Sequence, residues 1–300
     1  MQLGDYRFEI VPDCEFRLDG GAMFGVVPRV LWEKKSPPDE LNRIKLQMNC
    51  VFVDSGTEKI LIETGIGEKW TERQTEIYGI FREKPFAQTL FENTGCKPED
   101  ISIVVNTHLH FDHAGGNTIF VSEPQTVNDQ TVNIDRKPIA QFPNARYFVS
   151  KSEFEAGENP HERDQASYLP ENWRPLQESG QLELKPDNYE VIEGLQMHQV
   201  RGHSQTMQTW KLTHGGETIY GFADLIPTTA HLSYPWIMGY DLYPTETLEF
   251  KKKILPQAVR ENWLCLFYHD LHKPLCRLFE KDGKINANVS NNATGRENYI

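Results

Sequence analysis

The stretch Thr107-His108-Leu109-His110-Phe111-Asp112-His113-Ala114-Gly115-Gly116 places four side chains that can bind a metal within six residues. It directly follows Ile101-Ser102-Ile103-Val104-Val105, an apolar run that reads as a buried strand. In an extended or tightly turned segment, residues two apart point the same way. His108 and His110 can therefore grip one ion while Asp112 and His113 turn toward a second. A lone histidine is most simply a core or surface imidazole, but this spacing suits two metals.

One cluster cannot fill two coordination spheres, because a zinc-like ion takes about four to five ligands. Further donors are expected from other strand ends. Gly202-His203-Ser204, Phe222-Ala223-Asp224 and Phe267-Tyr268-His269-Asp270 each set a ligand type right after an apolar segment. The pattern H-x-H-x-D-H, then a distal His, an Asp and a last His, resembles the metallo-β-lactamase superfamily. Within it the chain is similar to the N-acyl homoserine lactonase branch, and most to the YtnP-like quorum-quenching lactonases. Three segments carry that finer likeness: Asp19-Gly-Gly-Ala-Met-Phe-Gly-Val-Val-Pro28 with Leu31-Trp32, Ala223-Asp-Leu-Ile-Pro-Thr228 with Ala230-His231, and Trp236-Ile-Met-Gly-Tyr-Asp241. It runs from about residue 5 to about residue 275.

The resemblance implies a four-layer αβ/βα sandwich, whereas periodicity alone gives only a mixed α/β class. It also implies that His108, His110 and His203 hold a first metal, that Asp112, His113 and His269 hold a second, and that Asp224 bridges them. Nitrogen and oxygen donors without thiolate suit two Zn²⁺ ions and also accommodate Fe, Co or Mn. Two ions about 3.5–4 Å apart can share a water and ionise it near neutral pH, giving a metal-bridging hydroxide. Asp112 is the candidate for passing a proton to the leaving alkoxide. The expected reaction is opening of lactone rings, those of N-acyl homoserine lactones first. A promiscuous esterase, phosphotriesterase or thioesterase of the same superfamily is the alternative, and a catalytically silent metal-stabilised binding module is the reading from outside enzymology. In the better-known acyl homoserine lactonases a Tyr shortly after the bridging Asp contacts the substrate carbonyl. Here Leu225-Ile226-Pro227 follows Asp224, leaving Tyr234 or Tyr240 as stand-ins.

Composition bounds the remaining possibilities. Three hundred residues, 38% apolar, can bury one large core or two small ones. Cutting the chain would split donors spread from His108 to His269, so residues 1–300 are expected to form a single domain, with a partly ordered tail from about residue 280. A net charge of −12 argues against a nucleic-acid partner, and Lys251-Lys252-Lys253 reads as a solvated helix face. Five scattered cysteines, odd in number and without C-x-x-C spacing, point to a reducing compartment, hence a cytoplasmic protein. No apolar run reaches membrane-spanning length, so no membrane partner is expected, and a homodimer stays open.

Along the chain, residues 5–18 alternate as a first hairpin, while 49–54 and 59–63 are strands joined at Ser55-Gly56-Thr57. Helical spacing over 76–94 is divided at Pro85, and 245–259 is a helix leading into the strand 263–268. Residues 189–200 and 209–222 alternate as strands, and 121–143 reads as an inserted loop or hairpin. Residues 151–178 are helix and loop, in which Asn172-Trp173 either caps the site or packs on the surface. Met23, Phe24, Trp32, Trp236 and Met238 would suit an acyl chain beside a small polar head. His231 and Asp241 are candidates for orienting the donors. Relatives usually place Asp before the Thr64-Gly65 pair; the longer Glu63 stands here, and no contact from it toward the site is carried over.

Overall fold

A computed structural model describes residues 1–127 and 130–289. Two seven-stranded mixed sheets face each other. The first runs in the order 2–3, 6–19, 43–54, 59–62, 103–105, 146–150 and 182–185, antiparallel over its first half and parallel from 59–62 onward. The second runs 188–192, 195–199, 208–214, 217–221, 264–266, 275–281 and 284–289 in sequence order, with one parallel pair, Glu217–Gly221 beside Leu264–Leu266.

The inner faces meet in one continuous apolar core that includes Phe8, Phe52, Val104, Trp210 and Phe222. The three-residue strand Ile103–Val105 is buried on both sides, as expected of a central parallel strand. On the inner faces the Trp210 indole N–H donates to the Tyr268 hydroxyl at 2.8 Å. Helices Phe86–Thr94 and Pro244–Arg260 pack against strands Tyr6–Asp19 and Leu275–Lys281 of opposite sheets, which gives the four-layer αβ/βα sandwich.

Several expectations are corrected. Residues 6–19 form one long strand instead of a hairpin; a bulge between Pro12 and Glu15 breaks the alternation without turning the chain. The lysine triplet is not wholly solvated. Lys251 is fully buried, its ammonium donates to the carbonyls of Ser233 and Trp236 at 2.7 and 2.8 Å, and burial pushes its pKa down to about 7. The stretch 121–143, read as an inserted loop or hairpin, falls on two antiparallel strands, Thr118–Val127 and Gln130–Ala140, in keeping with the second of these. Within the expected tail, Lys284–Val289 is an edge strand, and residues 290–300 lie outside the described residues. All five cysteines are buried and free, and no described helix is long and apolar enough to cross a membrane.

Candidate metal centre

The seven donors sit where strands end. Ile103–Val105 delivers Asn106-Thr107 and then His108 and His110, after which the short helix Phe111–Ala114 carries Asp112 and His113. Gly115 follows because the chain must press against its neighbour: a Cβ there would lie 2.2 Å from the Ile66 carbonyl oxygen. Strand Glu217–Gly221 leads to Asp224, which is preceded by Ala223 at φ 48, a left-handed conformation that costs a non-glycine residue about 1 kcal/mol or more. Strand Leu264–Leu266 leads to His269, and His203 lies in the loop before strand Gln208–His214.

These residues converge into two groups. The nitrogens of His108, His110 and His203 lie within 4.8 Å of one another, as do the donor atoms of Asp112, His113, Asp224 and His269. Asp224 touches both: Oδ1 is 3.1 Å from Nε2 of His113 and of His269, and Oδ2 is 3.5 Å from Nε2 of His203. Asp112 Oδ2 stands 3.5 Å from His269 Nε2. All seven side chains are buried.

Electrostatics bear on whether cations fit. Burial, reinforced by the neighbouring imidazoles, holds His108 and His110 well below the usual histidine pKa, so both are neutral donors. Burial disfavours charge at His113 and His203 too, yet the carboxylates beside them hold His113 well above and His203 above the ordinary value. Burial likewise opposes ionisation of Asp224, but His113 and His269 hold it well below the carboxylate range. This is a cluster in which carboxylates recruit positive charge. The inner nitrogen of His108, Nε2, is buried and has no hydrogen-bond partner among the described residues. Such a donor set, buried and converging, fits two divalent cations.

The outer nitrogens show how the rings are held. Nδ1 of His108 meets the Thr107 hydroxyl at 3.0 Å, Nδ1 of His203 meets Asp241 at 3.1 Å, and Nδ1 of His269 meets the Gln47 carbonyl at 3.2 Å. Nδ1 of His113 faces Glu63 Oε1 at 3.4 Å. Glu63 therefore does reach the site, contrary to the sequence expectation. It sits at φ 63, fully buried, and accepts the Thr107 amide at 3.0 Å, so the longer side chain makes its contact from a backbone turned into the left-handed region. His110 is the exception, with Nε2 left 3.9 Å from Asp164 Oδ2.

Beside the donors lies a cavity of 420 Å³, lined by His110, Asp112, His203, Asp224 and His269 together with apolar side chains. A larger cleft of 800 Å³ borders His269 alone among the donors and is not the site. Of the residues expected to contact substrate, Met23 and Met238 line the 420 Å³ cavity, whereas Phe24, Trp32 and Trp236 do not. Phe24 stacks on Trp32 at 5.2 Å and meets Trp236 edge-on at 5.7 Å, so these three rings form the wall behind. Of the two residues expected to orient donors, Asp241 lies against His203 Nδ1, whereas His231 touches none of the donors in this way. Its Nε2 pairs with the Met23 carbonyl at 2.8 Å and its ring stacks on Phe24 at 4.6 Å, which fixes the short helix Gly20–Phe24 that carries Met23. Tyr240 borders the cavity and Tyr234 does not. Trp173 is buried against Tyr168 and Leu109; the stretch that reaches over the site is 163–167 instead. Arg163, Asp164, Tyr78 and Glu153 were missed, since an isolated charge or ring in a loop or helix leaves no periodic signal.

Comparison with known proteins agrees with this geometry. Residues 43–129 match the family model described as the metallo-beta-lactamase superfamily. The chain is 25% identical to an N-acyl homoserine lactonase of Bacillus cereus over 56% of this chain and 59% of that one, so it spans about three-fifths of that relative. It is 23% identical to the N-acyl homoserine lactonase AiiA of Bacillus thuringiensis subsp. kurstaki over 79% of this chain and 86% of that one. Among solved structures, a "probable metal-dependent hydrolase" of Staphylococcus aureus superposes with a TM-score of 0.84 at 28% identity, covering all of both chains. AidC, a dizinc quorum-quenching lactonase in complex with its product, superposes at 0.74 with 18% identity over 97% of this chain and 96% of that one. The match to the metallo-beta-lactamase superfamily thus lies on residues 43–129, and the chain as a whole shares the fold of these solved structures.

Proposed function

We propose that the protein is a dinuclear metal-dependent lactonase that opens N-acyl homoserine lactones and so quenches quorum signals. The observation that carries this reading is one cavity, 420 Å³, that joins all but two of the seven donors to an apolar wall of Leu18, Met23 and Met238. That volume falls in the range of small-molecule sites, and methionine adapts to acyl chains of different length. Curated relatives named as N-acyl homoserine lactonases support the substrate class.

In this reading His108, His110 and His203 would hold one cation and Asp112, His113 and His269 the other, with Asp224, which faces His113, His269 and His203, available to either. Bound there, divalent cations supply Lewis acidity and an ionised water near neutral pH; zinc is the first candidate. Thr107, Glu63 and Asp241 hold His108, His113 and His203 in register by their outer nitrogens. Asp112, which borders the cavity, holds a proton at a carboxylate oxygen for the departing alkoxide. Tyr240 stands at the cavity wall where it can donate to a substrate carbonyl. Donors come from both sheets, so the chain acts as one unit.

The test is a kcat/KM panel on metal-loaded protein with acyl homoserine lactones of short and long chain, an aryl ester and a phosphotriester. The lactones should lead. Absence of ring opening at every chain length rejects the reading, and a lead by the ester or phosphotriester replaces it with the promiscuous hydrolase.

A further inference from the structure

Asp164 is a carboxylate that the ligand set does not use. Its side chain is 10% exposed, it lines the 420 Å³ cavity, and its Oδ1 has no hydrogen-bond partner among the described residues. A buried acceptor without a donor is costly, by about 1–3 kcal/mol or more when charged, and groups left in that condition mark places where something else completes them. Other carboxylates around the cluster are engaged: Glu63 accepts from the Thr107 amide, Asp241 from the Thr247 hydroxyl at 2.7 Å, Glu153 from the Leu109 amide at 2.8 Å, and Asp270 from the Thr229 amide at 2.8 Å.

The position of Asp164 is fixed from both sides. Tyr168 bridges to His110 through the backbone, and the Arg163 guanidinium donates to the Gly239 carbonyl across the cavity mouth. Asp164 Oδ2 stands 3.9 Å from His110 Nε2, which has no hydrogen-bond partner among the described residues. Both residues line the cavity beside the first donor group.

We infer that Asp164 is a specificity-determining residue that accepts a hydrogen bond from a substrate N–H lying beside the bond to be cut. The inference rests on the lactonase reading. An N-acyl homoserine lactone carries a single such donor, its amide N–H, one atom from the ring, whereas an alkyl lactone carries none. A carboxylate left without its donor disfavours the substrate that lacks one, so Asp164 selects acylamino lactones over plain ones.

The test compares two lactones that differ at one atom: N-hexanoyl homoserine lactone and its analogue in which CH₂ replaces the amide NH. The readout is the ratio of their kcat/KM values in metal-loaded wild type, Asp164→Ala and Asp164→Asn. Wild type should favour the N–H substrate, and D164A should lower that ratio by about tenfold or more, the worth of a hydrogen bond to a charged acceptor. D164N, whose amide oxygen still accepts, should fall between, and it stands in should D164A not fold. A merely structural role would lower both rates and leave the ratio alone. If wild type opens neither lactone, the lactonase reading falls separately, and the ratio is taken on the p-nitrophenyl esters of N-hexanoylglycine and 4-oxononanoate, which differ in the same way. An absent N–H preference in wild type, a ratio unchanged in both variants, or hydrolysis of none of the four compounds overturns the assignment.

Discussion

Glu153 ties the two loops of the first donor group together, and its replacement by Gln yields a prediction with a sign. The residue is fully buried at the start of helix Lys151–Glu158, accepts the amide of Leu109 between His108 and His110 at 2.8 Å, and accepts the Thr206 hydroxyl at 2.5 Å, three residues after His203. Burial pushes its carboxyl from the ordinary 4.5 up to about 7, against the pull of those hydrogen bonds. Between these two values the unfolded chain has released the proton and the native chain has kept it. The unfolded state then binds fewer protons, so stability falls as pH rises through this window, by about 3 kcal/mol from this group alone. Glutamine keeps the shape: its oxygen accepts from Leu109, and the Thr206 hydroxyl rotates to accept from its NH₂. Urea unfolding of chelator-treated wild type and Glu153→Gln at pH 4.5 to 8 isolates the effect, because every other titrating group cancels in the difference. The variant should be close to wild type at the acid end and more stable by about 3 kcal/mol at pH 8. A difference that does not change with pH would refute the account of Glu153, and one that grows toward acid would reverse its sign.

Other outcomes follow from the same contacts. Asp241→Asn removes the charge that orients His203 at 3.1 Å and should weaken the first cation by about 10–100-fold in chelator competition, leaving the second nearly untouched. Glu63→Gln, whose carboxylate meets both His113 and the Thr107 hydroxyl that holds His108, should weaken both cations, and an effect confined to the first would contradict the assignment of outer partners. Gly115→Ala drives a Cβ to 2.2 Å from the Ile66 carbonyl, so the variant should lose several kcal/mol, on the order of 3, in denaturant unfolding; wild-type stability would show that the loop can move aside.

Much of the site was legible because metal chemistry restricts both residue type and spacing. His108, His110, Asp112 and His113 could be grouped from spacing alone, and the three distant donors were marked by the apolar strands before them. What could not be read depends on packing across the chain. Phe24, Trp32 and Trp236 have the composition of a pocket but stack on one another, and only the fold decides which face of an apolar loop points inward. His231 stands beside the ligand-bearing turn in sequence, yet its ring is taken up by Phe24 and the Met23 carbonyl. Glu63 was underrated because side-chain reach was judged without knowing that its backbone turns to φ 63. Lys251 looked solvated among three lysines, although one helix face in three must turn inward.

The most direct measurement is the metal content of purified protein after loading and exhaustive dialysis, taken for wild type, His203→Ala and His269→Ala. Two divalent cations per chain in wild type and one in each variant, with anomalous scattering placing the survivor beside Asp112 and His113 in the first variant and beside His108 and His110 in the second, is the predicted result. A wild-type chain that retains no cation or a single one, or variants that both keep two, would contradict the two-cation centre.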